Sequence, residues 1–417
     1  MKRNSLKIIF LILLLAGNII YLKAYAGSAD SIAQRSLSFR DYLNTVGKNN
    51  LSLLVEKYNV RIADAEIAAV KVMPDPELSF GGSEETYFLE LGYTLELGNK
   101  RGARVRHAKS EAELAKLVLE QFFQELRAEA TDAFLDAILQ RELLSVKQSS
   151  YSYMLQLSKS DSIRFRMGEI NENDARQSKL EAATLLNEVY GQEAEYKTSL
   201  AILNQYMGKT IDTLNIPIGE WNNLSRDYML SNLITIAADN RADLMAAKKN
   251  NEVASNLLKL VRAERWMDLG LTIGYERDWS GLLPSRDMIN AGITIPLKFS
   301  NFNKGSMKTA KFAVEQSRYE AENTYLQMQT EVSQAFFQYE AIKKQVKQYE
   351  SGLLEDSKKV LEGILYMYAR GETSILDVLI AQRTYNEVQE QYLETMKGHA
   401  SALVDLEKTC GIWDIDF

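Results

Sequence analysis

The residues able to do covalent or metal chemistry are few. His107, His399 and Cys410 are the only imidazole and thiol side chains in 417 residues. A transition-metal site of the usual kind needs three or four such ligands, so no metal site is expected. No nucleophile elbow, phosphate-cradling glycine loop or zinc-protease motif occurs. The chain is therefore read as no enzyme, with no cofactor. His399 shares a helical face with Tyr392, Thr395, Ala402 and Leu406, a packing environment rather than a ligand set. His107 is assigned no role. One cysteine leaves no internal disulfide.

The chemistry that does stand out is carboxylates placed on strands. In FLELGYTLELGNKRG (residues 88–102), Leu89, Leu91, Tyr93, Leu95 and Leu97 alternate with Glu90, Gly92, Thr94, Glu96 and Gly98. A second segment alternates Leu269, Leu271, Ile273 and Tyr275 with Asp268, Gly270, Thr272, Gly274 and Glu276. A third runs Ile289, Ala291, Ile293, Ile295, Leu297 and Phe299 against Asn290, Gly292, Thr294, Pro296 and Lys298. A shorter one surrounds Leu78 and Phe80. Period-two segments of about ten residues mark transmembrane barrel strands, apolar to lipid and polar to the lumen; a half-buried sheet alternates likewise. On the membrane reading, Leu89, Leu91, Tyr93, Leu95, Leu97, Leu269, Leu271, Ile273, Ile293 and Ile295 face lipid. Glu90, Thr94, Glu96, Asp268, Thr272, Asn290, Thr294 and Lys298 line water. Four strands cannot close a barrel, and lipid does not tolerate open edges. Two copies would give eight strands and a filled interior; a conduit needs more, which favours three.

Long helices must position these strands. The chain repeats itself at a spacing near 200 residues. Leu78-Ser79-Phe80-Gly81 resembles Leu271-Thr272-Ile273-Gly274, and Asn99-Lys100 recurs as Asn303-Lys304. Gly168, Asp174 and Gly208 match Gly371, Asp377 and Gly411 at a constant offset of 203. Each unit reads as a helix (about Ser36 to Val72, then about Arg241 to Arg265), two strands, a long helix, a glycine turn and a second helix. The long helices span about Arg101 to Arg164 and Lys304 to Tyr368, roughly 90 Å each at 1.5 Å per residue. Ala108, Ala112, Ala115, Leu119, Phe122 and Leu126 follow the four-and-three spacing of a coiled-coil seam. The predicted organisation is a signal peptide at 1–26, a first repeat at 27–208, a connector at 209–226, a second repeat at 227–411 and a tail at 412–417.

The leader reading rests on Lys2, Arg3 and Lys7, an apolar run from Ile8 to Ile20, and Ala24-Tyr25-Ala26. No cysteine near that site could carry a lipid anchor. The net charge of −7 argues against nucleic-acid binding, which needs a basic stripe.

These features, with YARGETSILDVLIAQRTYNEVQEQY (residues 368–392), resemble the TolC-type outer-membrane efflux family. YTLELGNKRGARVRHAKSEAE (residues 93–113) is similar to its heavy-metal branch, the cobalt-zinc-cadmium and copper-silver kind. The resemblance implies a mainly α fold with a transmembrane β-barrel part. It implies a homotrimer in the outer membrane of a Gram-negative bacterium, with a twelve-stranded barrel and an α-helical periplasmic tunnel. The partners implied are a periplasmic adaptor (membrane fusion) protein, an inner-membrane RND pump and outer-membrane lipid. The activity implied is passive export, with metal cations as cargo. Drug efflux or type I protein secretion would use the same fold. A non-conducting coiled-coil scaffold spanning the periplasm is the rival of another class; carboxylates on one strand face argue against it.

The resemblance also gives the glycine turns a role. Arg166, Gly168 and Glu169, with Arg370, Gly371, Glu372 and Ser374, would form periplasmic tips that meet the adaptor. Asp377 matches a gate aspartate of the family, and Asp174 is its counterpart. A carboxylate ring at a constriction attracts cations and repels anions. The local alternative is capping: Ser374-x-x-Asp377 and Asn171-x-x-Asp174 are helix N-terminal signals. Ile380 replaces a second gate acid found in some members of that family.

Overall fold

The computed structural model describes residues 33–210, 213–219, 221, 224–278, 286–297 and 302–415. The expected leader, Lys298 and Phe299 lie outside these residues.

Strand β1 (Ala33–Ser38) leads into α1 (Phe39–Asn49) and α2 (Leu51–Ala69). The single helix expected over Ser36 to Val72 is thus a strand end and two helices. The break sits at Asn50, whose ψ of 122° is non-helical. Its side chain accepts from Leu53 N at 3.0 Å and donates to the Tyr206 carbonyl at 3.0 Å. A cap that also ties to a distant segment outcompetes helix continuation. Hairpin β2 (Glu77–Gly82) and β3 (Thr86–Leu95) follows, then α3 (Lys100–Arg166), α4 (Glu172–Tyr206) and β4 (Thr213–Ile218). Strand β4 pairs in parallel with β1, so the expected connector at 209–226 contains a strand. Proline and glycine punctuation marked the segment as loose; its pairing partner lay too far away in sequence to be seen.

The second half repeats the order. Helices α5 (Leu230–Asn240) and α6 (Ala242–Ala263) meet at Arg241, where ψ is 120°. The helix expected to begin near Arg241 is therefore preceded by another. Hairpin β5 (Leu269–Asp278) and β6 (Arg286–Thr294) leads to α7 (Lys304–Gln348), a π-helical turn (Tyr349–Leu353), α8 (Leu354–Ala369) and α9 (Ile375–Cys410). The long helix expected over Lys304 to Tyr368 is interrupted, because Gly352 takes φ 132°. A glycine without side-chain packing is a common site for such a bulge. Its counterpart α3 runs unbroken for 67 residues, about 100 Å.

Strands β2, β3, β5 and β6 form one antiparallel sheet in the order β2-β3-β5-β6. Among the described residues its outer edges, β2 and β6, are unpaired. No described helix is long and apolar enough to cross a membrane.

Packing is distributed along the helices. One apolar cluster gathers Tyr339, Val332, Leu403, Leu406 and Leu244, and a second gathers Phe39, Tyr42, Phe134, Ile138 and Leu203. Trp221 and Trp413 touch both. The described part of the expected tail, 412–415, is docked: Arg226 reaches Asp414 and the fully buried Glu407 at 3.1 and 3.0 Å. A third cluster, of Met154, Ala182, Leu185, Tyr368, Ile375 and Val378, lies next to the glycine turns.

Candidate functional site

The sheet sorts its residues by face. The register places Leu78, Leu91, Ile273 and Ala291 in one row. Phe80, Leu89, Tyr275 and Ile289 form another, and Tyr93, Leu271 and Ile293 a third. Leu95 lies opposite Leu269. These apolar rows are largely bare among the described residues: Phe80 is 79% exposed, Ile293 70% and Ile273 57%. Leu97 and Ile295 continue the pattern just past β3 and β6 and are also exposed.

The opposite face is polar and cut with glycine. Ser79, Glu90, Gly274 and Asn290 share one row; Gly92, Thr272 and Gly292 share the next; Thr94, Gly270 and Thr294 share a third. Asn290 donates to Glu276 at 3.0 Å on this face. Two expected wall residues have other work. Asp268 precedes β5 and holds the Lys100 ammonium at 2.6 Å through both oxygens, while accepting from Leu97 N. Glu96 follows β3 and grips Arg104 with two bonds of 2.5 and 2.8 Å. Arg101 donates to the Lys71 carbonyl at 2.6 Å. These contacts fix the angle at which sheet becomes helix. Asn99, in left-handed conformation at φ 56°, makes the bend itself.

At the far end, α3 and α8 close with the same glycine motif. Glu169 N donates to the Arg164 carbonyl and Gly168 N to the Phe165 carbonyl; Glu372 N and Gly371 N repeat this with Met367 and Tyr368. Both glycines are left-handed, at φ 78° and 74°. This is the Schellman ending that glycine alone adopts without strain. Arg370 pairs with Glu372 at 2.9 Å and Arg164 with Glu169 at 3.4 Å. Arg166, exposed, donates to the Ser162 carbonyl.

Asp377 completes a capping box: Ser374 Oγ, Ser374 N and Thr373 Oγ1 donate to its Oδ2 at 2.7, 3.1 and 2.6 Å. The Thr373 hydroxyl, then the Ser374 hydroxyl and N–H, hold its carboxyl below the ordinary value. The side chain remains exposed. Asp174 pairs with Asn171, whose side-chain amide donates to it at 2.9 Å. Asp377 thus shares in capping α9, whereas α4 is capped by Asn171, whose side chain accepts from Asp174 N.

One group of residues between the two tips escaped the sequence reading. Tyr368 donates to Asp161 at 2.9 Å, and Asp161 is fully buried. The Arg164 guanidinium lies 5.1 Å from the Tyr368 ring centre and 3.9 Å from Asp161. Burial pushes the Asp161 carboxyl up, against the pull of Tyr368, Ser178 and Arg164. Comparing the repeats would have flagged it. At the offset of 203, Tyr368 corresponds to Phe165 and Asp161 to Ile364. Both hydrogen-bonding groups are additions to otherwise apolar positions.

His399 is buried and stacked on Tyr339 at 5.3 Å, with burial lowering its pKa. His107 Nδ1 lies 3.2 Å from Glu111. Among the described residues no three His, Cys, Asp or Glu side chains converge on a metal position.

Residues 233–411 match the outer membrane efflux protein family. The chain is 21% identical over 380 residues to the cobalt-zinc-cadmium resistance protein CzcC of Cupriavidus metallidurans, covering 90% of each protein. It is 22% identical over 362 residues to the outer membrane efflux protein BepC of Brucella suis biovar 1, covering 82% of this chain and 78% of BepC. Among solved structures it is similar to CusC, with a TM-score of 0.74 at 14% identity, covering 91% of this chain and 94% of CusC. The Campylobacter jejuni CmeC outer membrane channel gives a TM-score of 0.76 at 16% identity, covering 89% of this chain and 85% of that one.

Proposed function

Because residues 233–411 match the outer membrane efflux protein family and the chain is similar along 90% of its length to CzcC, we infer that it is the passive exit duct of a tripartite, RND-type efflux system. The observation that carries this is the four-stranded sheet, whose two edges are unpaired and whose apolar face is bare among the described residues. Such a sheet is stable in lipid only when closed. Three copies supply twelve strands, enough for a water-filled lumen, with Glu90, Thr94, Thr272, Asn290 and Thr294 on its wall. Helices of about 100 Å then extend the lumen across the periplasm. The Gly168 and Gly371 turns meet the adaptor, and Asp377 and Asp174 border the opening.

The tip is closed in the resting state by the Tyr368–Asp161 link, which fastens α8 to α3. Opening requires α8 and α9 to swing away, with the Gly352 turn between α7 and α8 as the hinge.

Metal cations are the cargo, on the likeness to CzcC and the carboxylates of the polar face. A duct needs no tight metal site, since strong binding would slow release. Planar-bilayer recordings of the detergent-extracted protein test the duct: stable cation-preferring conductance is expected, and a protein that never conducts refutes it. Growth of a deletion strain on zinc, cobalt, cadmium and copper tests the cargo. Sensitivity to dyes and detergents with unchanged metal tolerance would favour drug efflux.

A further inference from the structure

The two strand-to-helix junctions face the same electrostatic problem and solve it differently. Helices α3 and α7 both start after a left-handed asparagine that makes no side-chain cap, and neither has an acid in its first turn. At α3 the carboxylates come from neighbouring segments, Asp268 to Lys100 and Glu96 to Arg104. At α7 no ion pair to the first turns is made among the described residues. Among the described residues Lys304 and Lys311 make no ion pair, and Lys308 reaches only the Phe312 ring at 5.6 Å.

A groove of about 730 Å³ opens beside this start of α7, between it and the end of α6. Its cations are Arg262, Arg265 and Lys311, and no carboxylate lines it. All three are exposed and without an ion-pair partner among the described residues. Trp266 and Phe302 flank them, 63% and 47% exposed. The groove sits directly at the foot of the sheet, one residue from Asp268 and two from Leu269 in sequence. Cations without counter-charge recruit an anion. Exposed aromatic rings beside a lipid-facing sheet mark the depth of a headgroup layer. Basic pockets at that depth hold anionic headgroups.

We propose that this groove binds the phosphate of an anionic phospholipid in the periplasmic leaflet, with Arg262, Arg265 and Lys311 as its ligands. The proposal rests on the reading of the sheet as part of a barrel. The corresponding place at the foot of α3 is expected to bind more weakly, because Asp268 and Glu96 there neutralise Lys100 and Arg104.

Native mass spectrometry of the detergent-extracted, delipidated oligomer tests this by titration with phosphatidylglycerol, phosphatidylethanolamine or inorganic phosphate. Wild type is expected to retain phosphatidylglycerol selectively. The Arg262→Ser/Arg265→Ser/Lys311→Ser variant should retain it about a hundredfold less, and Lys159→Ser, on an exposed cation near the tip, should match wild type. Equal retention of both lipids, unchanged retention in the triple variant, or phosphate competing as well as lipid would each overturn the proposal. If the triple variant does not assemble, Arg265→Ser alone carries the same comparison. Conductance of the same preparation separates the two failures. A conducting oligomer without lipid preference removes only the headgroup site, whereas a preparation that never conducts removes the duct.

Discussion

The Tyr368 phenol and the Asp161 carboxylate, 207 residues apart in sequence, meet at 2.9 Å inside the packed tip. A buried carboxylate that loses its donor bears most of its desolvation cost, roughly 1–3 kcal/mol. Tyr368→Phe keeps the ring and removes the donor. The variant is expected to conduct more at rest and to melt earlier than wild type. Unchanged resting conductance would mean the link does not hold the tip shut.

The same carboxyl makes the tip pH-dependent. Burial raises Asp161 above the ordinary 3.8, so the folded tip binds its proton more readily than the unfolded chain. That contribution is complete below the unfolded value and is lost as pH rises through the folded one. The groups facing it are Arg164 on α3, Ser178 and Asp174 on α4, and Tyr368 on α8. Melting followed upward from about pH 3.8 should show this contribution falling as pH rises, and Asp161→Asn should flatten that slope.

Asp377 has two roles that separate experimentally. Ser374→Ala removes the cap hydroxyl and should cost about 1 kcal/mol without altering the charge at the opening. Asp377→Asn removes the charge and should lower cation-over-anion selectivity, read from reversal potentials in a salt gradient. Equal selectivity in both variants would leave Asp377 with the cap alone.

The two sheet faces predict opposite tolerance. Leu91→Arg places a cation on the bare apolar row and should cost about 2–4 kcal/mol near mid-membrane, abolishing oligomer recovery from outer-membrane extracts. Glu90→Gln, one residue away on the polar row, should assemble normally and only alter ion selectivity.

Four glycines share one backbone conformation but not one environment. Gly168, Gly208, Gly371 and Gly411 are all left-handed, at φ 78°, 64°, 74° and 67°. An alanine at any of them costs roughly 1–2 kcal/mol in backbone strain. At Gly208 the new methyl would also lie 2.4 Å from the Asn49 carbonyl oxygen, and at Gly411 2.7 Å from that of Asn240. At Gly168 and Gly371 it would meet nothing within 4 Å. Thermal melts should therefore rank Gly208→Ala and Gly411→Ala well below the two tip variants. The open space at Gly168 and Gly371 leaves them free to meet another protein; loss of adaptor cross-linking in bulkier tip variants that still fold would support that contact.

What the sequence determined by itself are the features carried by near neighbours. Alternation of Leu89 through Leu97 assigns each side chain to a face, because a strand has period two. Glycine after a helical run marks the ends at Gly168 and Gly371, because only the left-handed turn closes the last carbonyls. Ser374 and Asp377 announce their cap within four residues. What only the tertiary structure decided are the contacts between distant segments. Asn50 breaks a helix because the Tyr206 carbonyl stands beside it, and β4 forms because β1 is there to pair. Glu96 and Asp268 leave the list of free wall charges because Arg104 and Lys100 reach them. Asp161 gains its significance from Tyr368. Each of these depends on a partner that local periodicity cannot locate, since hydrogen bonds and ion pairs act over a few ångströms of space whatever the separation along the chain.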